Sequence, residues 1–328
     1  MTWPRRAPWI VAMLLPLAGC IDIDLPSPSR ITTPRILGVV VEPPELAPGV
    51  DLTVSALVLD AEGAPLVPPD ATYVWQTCLD AAAVFGAADQ PLPGQGMDGP
   101  RCVDEATGLI VLEPAPDQPP GFAVLPGEVT QELFDQLEAL LPVLEALDPD
   151  ATAVVRTLID TVGLPFEVDL FVLDAQGEVL VQGFKRFAIT LRDPATTNPP
   201  DPRLQVADVW YTGRGVEEPF VCVPEDGGGI VAVPPGAALT LAPDEDDEAW
   251  LETYPVVGLD GRLQENQETA FYSWFRTAGG FREDITQRPF REEEWTAPAE
   301  PGVYPLVVSV RDGHLGGSAC RFEVAVVE

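Results

Sequence analysis

The side chains that most often do chemistry in proteins are scarce in this sequence. His314 is the only histidine, and the glycine-rich stretch RDGHLGGS around it predicts a solvated turn. One histidine excludes an HExxH zinc site, and the sequence has neither a GxSxG nucleophile elbow nor a GxxxxGK[ST] phosphate loop. The sequence has 52 Asp and Glu residues. With so many, two carboxyl groups at the separation that glycosidases use would be no evidence for that activity. We therefore predict a protein that is not an enzyme, with a glycan-cleaving enzyme as an alternative that requires two carboxylates in a cleft.

One acidic run has the residue types of a cation site. It consists of Asp244, Glu245, Asp246, Asp247 and Glu248. Calcium binds six to eight oxygen ligands, and adjacent carboxylates supply several of them. The run lacks the alternating order of an EF-hand loop, so a solvated acidic loop is the alternative. We predict no required cofactor and keep calcium at these five residues as an open expectation.

Residues 1–19 have the order of an export signal. Arg5 and Arg6 form a basic start, and an apolar run follows from Ala7 to Leu17. That run is shorter than the ~20 residues that a membrane-spanning helix requires, and it suits a secretory signal peptide. It ends in the sequence Leu-Ala-Gly followed directly by Cys20.

This ending resembles the lipobox of bacterial lipoproteins. The resemblance implies cleavage before Cys20, diacylation of its thiol and acylation of the new amino terminus. Two or more acyl chains hold a protein stably on a membrane, whereas one binds marginally. The proline-rich residues 20–33 then form a stiff tether, and Ile21 in place of an aspartate favours the outer over the inner membrane. An ordinary signal peptide with an incidental cysteine is the alternative.

The charge of the chain excludes binding to nucleic acid phosphates. The formal net charge is −34, and removal of Arg5 and Arg6 with the signal peptide makes it more negative still. Proteins bind phosphates through Lys and Arg, and this chain has 18 of these residues against 52 Asp and Glu. We therefore expect the membrane, reached through the lipid anchor, as one partner, together with a protein or glycan that the sequence does not specify.

The four cysteines that remain after Cys20 form an even set. In an exported protein an even set indicates disulfides. Among the three pairings, chain order and the domain division favour Cys78–Cys102 and Cys222–Cys320. A metal site built from the four cysteines is the alternative, but it requires paired CxxC spacing, which this sequence lacks.

Short alternating strands separated by proline and glycine turns predict a mainly β protein. VDLTVSALVLD alternates, and ATYVWQTC carries Trp75 in the manner of a small β-sandwich. A second strand set follows the loop-forming stretch RDPATTNPPDP and includes TAFYSWFRT with Trp274. We predict domains at 34–193 and 203–328, joined by a linker at 194–202, with one tryptophan packed in each core.

A helical insertion is predicted in the first domain at about residues 127–163. Leucines recur there on one helical face: Leu133, Leu137, Leu140, Leu141, Leu144 and Leu147. A second segment begins at Asp148 and Pro149 and stops at Gly163, with the residue types of an N-cap, a first turn and a helix end. We expect a helical hairpin packed on the sandwich, with a partner-binding groove or lid as the alternative.

The strand sequences of both domains resemble bacterial Ig-like and PKD-like modules. PRILGVVVEPPELAPGVDLTVSALVLDAEG is similar to their opening, and WTAPAEPGVYPLVVSVRDG to their closing hairpin. Together with the lipobox, the resemblance implies a bacterial surface lipoprotein with two Ig-like β-sandwich domains in tandem. Such a fold says little about function.

The expected function is a non-catalytic binding or structural role at the cell envelope. An adhesion or carbohydrate-binding module, calcium-dependent if the acidic run binds the ion, is the alternative. In that case Trp250, Tyr254 and Phe271 would form an exposed aromatic platform, although such aromatic residues are more often buried in a sandwich core.

Overall fold

The computed structural model describes residues 27–79, 110–115, 121–147, 149–193, 195–215, 218–244, 249–257 and 262–328. The chain forms two β-sandwiches that pack side by side. The elements of the first are β1 (Arg35–Glu42), β2 (Glu45–Leu46), β3 (Leu52–Leu59), β4 (Thr72–Leu79), β5 (Ile110–Val111), β6 (Glu113–Pro114), β7 (Phe122–Leu125), α1 (Gly127–Leu147), α2 (Pro149–Thr157), a π-helical turn (Leu158–Val162), β8 (Leu164–Leu173) and β9 (Val179–Ile189).

The first sandwich has the strand order of an Ig-like domain. One sheet runs β1-β3-β7-β6 and the other β2-β9-β8-β4-β5. In Ig lettering these are A-B-E-D and A′-G-F-C-C′, which is the Ig arrangement with short A′ and C′ strands added. The core lies between the two sheets, where Trp75 is 2 % exposed and β3 buries Leu52, Val54 and Val58. The alternation in the sequence thus marks the inward face correctly.

The helices follow β7 and close one end of this sandwich. The Gly127 amide, at the start of α1, donates a 2.6 Å hydrogen bond to Oδ1 of Asp51. Phe134 and Leu141 of α1 are buried in the core of the first domain. Leu147, at the end of the predicted apolar stripe, is 79 % exposed, so the stripe is wrong at that end. In the described part of the chain, no helix combines the length and apolar character needed to cross a membrane.

The second sandwich keeps the Ig order and adds further strands to it. Its strands are β10 (Leu204–Val206), β11 (Val209–Gly213), β12 (Cys222–Pro224), β13 (Ala232–Val233), β14 (Ala238–Pro243), β15 (Thr253–Val257), β16 (Leu263–Gln267), β17 (Phe271–Arg276), β18 (Gly280–Phe281), β19 (Ile285–Gln287), β20 (Glu293–Thr296), β21 (Gly302–Arg311) and β22 (Gly317–Val326). The sheets run β12-β11-β10-β14-β20-β18 and β13-β22-β21-β17-β19, and β15 pairs with β16. The Ig order is kept in β10-β14-β20 and in β13-β22-β21-β17-β19, with β11, β12, β18 and the separate β15–β16 hairpin added. The predicted fold class, mainly β with two Ig-like sandwiches, is confirmed.

Trp274 and a disulfide hold the second core together. Trp274 is fully buried, as predicted, and its Nε1 donates a 2.8 Å hydrogen bond to Thr286. The predicted Cys222–Cys320 disulfide is confirmed, with a Cα–Cα distance of 5.6 Å. Cys78 is also disulfide-bonded. Its predicted partner Cys102 lies outside the described residues, so that pairing stays a prediction.

The two domains share an apolar interface. It buries residues from β1, β3, β21 and β22 together with Ile31 of the N-terminal segment: Ile31, Leu37, Leu57, Leu59, Val307 and Ala319. Gly38 allows the backbones to approach closely, because a Cβ atom there would lie 2.9 Å from that of Ala319. The outer face of one sheet in each domain is therefore an interface and not a free surface.

The N-terminal segment binds the second domain before the chain enters the first. The Ile31 amide donates to the Arg276 carbonyl at 2.8 Å, and the Arg276 amide donates to the Ser29 carbonyl at 2.9 Å. The Ser27 hydroxyl lies 3.0 Å from both carboxylate oxygens of Asp284. The sequence predicted a tether over residues 20–33, whereas the structure has Ser27 to Ile31 bonded along the edge of β17.

The disulfide provides a stability test. Replacing both Cys222 and Cys320 by Ser removes a cross-link with a sequence separation of 98 residues. We expect the free energy of unfolding to fall by about 3–5 kcal/mol, because the cross-link limits the entropy of the unfolded chain. Urea denaturation of the oxidised protein and of the double variant measures this difference. Equal midpoints and slopes would contradict the assignment.

Candidate functional site

Several buried ionisable side chains meet where the two domains join. Glu45 in β2 is 2 % exposed. Its Oε2 atom accepts hydrogen bonds from the Arg192 guanidinium and, at 2.8 Å, from the Thr196 backbone amide. Its Oε1 atom lies 3.1 Å from Nε2 of His314. One carboxylate thus joins the first domain, the linker and the second domain.

Local structure brings these groups to one place. β2 pairs in parallel with β9 through Glu45 and Ala188, and the Thr190 amide donates to the Leu46 carbonyl at 2.9 Å. Arg192 follows β9 by three residues and so lies on the same edge as β2. His314 lies in the turn between β21 and β22, on the other side of Glu45.

His314 is held by its turn and by an aromatic ring. Its backbone amide donates to Oδ1 of Asp312 at 2.7 Å. The imidazole stacks on Tyr254 with 3.7 Å between ring centroids, and its side chain is 14 % exposed. The sequence-based prediction of a solvated turn residue is therefore wrong, because neighbours far along the chain cover the imidazole.

The charge on Glu45 is stabilised by its partners. Burial alone raises the pKa of this carboxyl. The hydrogen bonds from His314 and Thr196 and the Arg192 charge outweigh that effect, so the net pKa of Glu45 lies below its ordinary value. The carboxylate is thus the ionised centre of the junction at neutral pH.

Two further carboxyl groups show the opposite effect. Glu268 is 4 % exposed, and burial, with Asp312, Glu252 and Glu45 as negative neighbours, raises its pKa to about 7. Its Oε2 atom accepts the Glu252 amide at 2.9 Å. Burial also raises the pKa of Asp312. Hydrogen bonds from its own turn and the Lys185 charge lower that pKa, but burial outweighs them. Burial therefore disfavours ionisation of both carboxyls, and the negative neighbours of Glu268 add to the effect there.

Lys185, the only lysine in the sequence, contacts the same turn. Its Nζ donates a 3.0 Å hydrogen bond to the Gly316 carbonyl. Burial lowers its pKa to about 8, although Asp312 raises it in part. We call the following residues the interdomain cluster: Glu45, Lys185, Arg192, Thr196, Tyr254, Glu268, Asp312 and His314. No local sequence pattern marks this cluster, since its members come from both domains and the linker.

The acidic run predicted to bind calcium lies mainly outside the described residues. Asp244 accepts a hydrogen bond from the Arg203 guanidinium, so this member forms an ion pair. Glu245, Asp246, Asp247 and Glu248 are not described. Among the residues that are described, no three His, Cys, Asp or Glu side chains are grouped closely enough to hold a metal ion. Calcium binding stays a prediction.

The predicted aromatic platform is not formed by Tyr254, which is buried under His314. Trp250 packs partly buried against the second core. A groove of about 1190 Å³ lies elsewhere on the second domain, beside Trp210 and the loop from Arg282 to Glu294. The Arg203 guanidinium lies 4.1 Å from the Trp210 ring centroid and covers one face of that ring.

We compared the chain with known protein families, curated proteins and solved structures. No family model and no curated protein matches the chain. Among solved structures, the D00-D0 domain of Intimin is 11 % identical, with a TM-score of 0.21, 90 % of this chain covered and 99 % of that one. Salmonella alpha-2-macroglobulin is 11 % identical over 92 % of this chain and 17 % of its own, with a TM-score of 0.23. E. coli alpha-2-macroglobulin is 13 % identical over 90 % and 16 %, with a TM-score of 0.23.

These TM-scores carry no argument about fold or function. The strand order and the buried cores define the class directly: a protein of two Ig-like β-sandwiches. The interdomain cluster is the feature that distinguishes this chain from two Ig-like domains joined by a flexible linker.

Glu268 gives a pH-dependent prediction. The folded carboxyl holds its proton up to about pH 7, whereas the unfolded one releases it near pH 4.5, so folding becomes less favourable as pH rises between these values. Glu268→Gln should therefore increase the free energy of unfolding by about 1–2 kcal/mol at pH 8 and have little effect below pH 5. Urea denaturation at both pH values measures this, with the exposed Glu265→Gln as control. An equal effect of the two variants at pH 8 would count against the burial of Glu268.

Glu45 gives a prediction of opposite sign. Glu45→Gln removes the charge that Arg192 faces, and we expect a loss of about 3 kcal/mol in the free energy of unfolding at pH 7. Because the folded pKa of Glu45 is lowered, the stabilisation should fade as pH drops through the carboxyl range. Denaturation between pH 3 and 7 tests this, with Glu62→Gln on an exposed turn as control. A loss that does not change with pH would show that Glu45 acts by shape and not by charge.

Proposed function

We propose that this protein is a lipid-anchored, non-catalytic module of the bacterial cell envelope that presents two Ig-like domains as one rigid unit. The observation that carries this proposal is the interdomain cluster. Glu45 and His314, residue types that catalysis would use, bond to one another between the domains, and Glu45 also accepts a hydrogen bond from the linker. Their arrangement suits a structural junction, and it supports a binding or scaffolding role.

The linker supports the same conclusion. The Asn198 amide group donates to the Val41 carbonyl at 2.7 Å, and its Oδ1 atom accepts the Gly317 amide at 2.9 Å. The Ser318 hydroxyl donates to the Pro200 carbonyl at 3.0 Å. A linker bonded to both domains restricts hinge motion, in contrast to the free motion that is the default between domains.

The membrane anchor in this proposal is Cys20, which lies outside the described residues. The apolar run before it and the resemblance to a lipobox support lipidation, and Ile21 supports the outer membrane. The strongly acidic composition suits a domain pair exposed to solvent at the envelope.

Intact mass of the mature protein from the membrane fraction tests the anchor. We expect a chain that begins at Cys20, carries acyl mass and reacts with an alkylating agent only after reduction, at four thiols. Cys20→Ser should remove the acyl mass and leave the precursor uncleaved. A wild-type chain without acyl groups would overturn the lipoprotein proposal, and free thiols before reduction would overturn the two disulfides.

A further inference from the structure

A turn with exposed apolar side chains lies on the second domain, close to the N-terminal segment. Phe290 is 81 % exposed and Ile285, in β19, is 59 % exposed. The turn from Gln287 to Phe290 is closed by a bridge between these two residues, and the Thr286 hydroxyl donates to the Arg291 carbonyl at 2.8 Å. Thr286 also accepts the indole hydrogen bond of Trp274. The turn is therefore fixed to the core while its aromatic side chain faces solvent.

The N-terminal segment points back towards this turn. It runs parallel to β17, because Arg30 pairs with Arg276 in a parallel bridge. β19 runs antiparallel to β17 on the same edge, with Ile285 opposite Ser273 and Gln287 opposite Phe271. Following the chain backwards from Ile31 to Ser27 thus leads in the direction of β19, from Ile285 to Gln287. Ser27 reaches the start of that strand at Asp284.

Chain length then limits how far the anchor lies from the turn. Cys20 precedes Ser27 by seven residues, which span at most about 24 Å when fully extended. The step along β19 from Asp284 to Gln287 covers about 10 Å in the same direction. A bilayer that holds acylated Cys20 therefore comes within reach of Phe290.

We propose that the Gln287–Phe290 turn rests on the bilayer that carries the anchor, with the Phe290 side chain in the headgroup region. This inference rests on the proposed lipidation of Cys20. Aromatic side chains favour the membrane interface, and Phe290 is 81 % exposed. The anchor raises the effective concentration of lipid at the turn and so favours this contact.

The test uses the acylated full-length protein reconstituted into vesicles of phosphatidylethanolamine and phosphatidylglycerol. Gln287→Cys places an environment-sensitive fluorophore beside an unchanged Phe290. Val303→Cys, 55 % exposed at the start of β21, is the matched control. Quenching by lipids with a nitroxide near the headgroup should be several-fold stronger at position 287 than at position 303. Adding Phe290→Ser to the 287 label should abolish the difference while the protein still floats with the vesicles.

Each other outcome overturns a defined part of the inference. Flotation with equal, weak quenching at both positions contradicts the membrane contact and leaves the lipid anchor intact. A blue-shifted label at 287 that lipid quenchers do not reach indicates a protein contact, such as a second copy, and also contradicts it. A protein without acyl mass that fails to float overturns the proposed anchor, and the contact with it.

Discussion

The arrangement of this protein depends on the burial of one carboxylate between two domains. A buried charge is tolerated only when other groups neutralise it and occupy its lone pairs. Glu45 meets that condition through a guanidinium after β9, a linker amide and an imidazole from the second domain. Separation of the domains would leave Glu45 without His314, so the electrostatics of the first domain favour the joined state. The apolar contact through Gly38 and Ala319 acts in the same direction.

The same junction explains the uneven ionisation of its carboxyls. Burial disfavours ionisation of both Glu268 and Asp312, and the negative neighbours Asp312, Glu252 and Glu45 add to this effect at Glu268. The N-terminal segment adds a third connection by bonding along β17. Tension from a membrane anchor would therefore act first on the hydrogen bonds between this segment and the second domain, before it reaches β1 along the backbone.

Much of the fold was predictable because its signals are local. Alternation, turn residues and a central tryptophan in each half indicated two sandwiches, and Trp75 and Trp274 are buried as expected. The interdomain cluster was not predictable, since Glu45 and His314 are 269 residues apart in sequence. A glycine-rich turn predicts a solvated loop from sequence alone, whether or not another domain covers it in the fold. Phe134, outside the leucine stripe, is buried for the same reason: the sandwich end that it fills is a tertiary feature.

The central claim, that the two domains form one rigid unit, is tested most directly by a distance distribution between them. Spin labels at Val179→Cys in the first domain and Ile230→Cys in the second occupy exposed positions, and pulsed electron paramagnetic resonance measures their separation. We expect one narrow distribution of distances at pH 7. A broad distribution, or two populations in the unmodified junction, would show that the domains move independently and would contradict it.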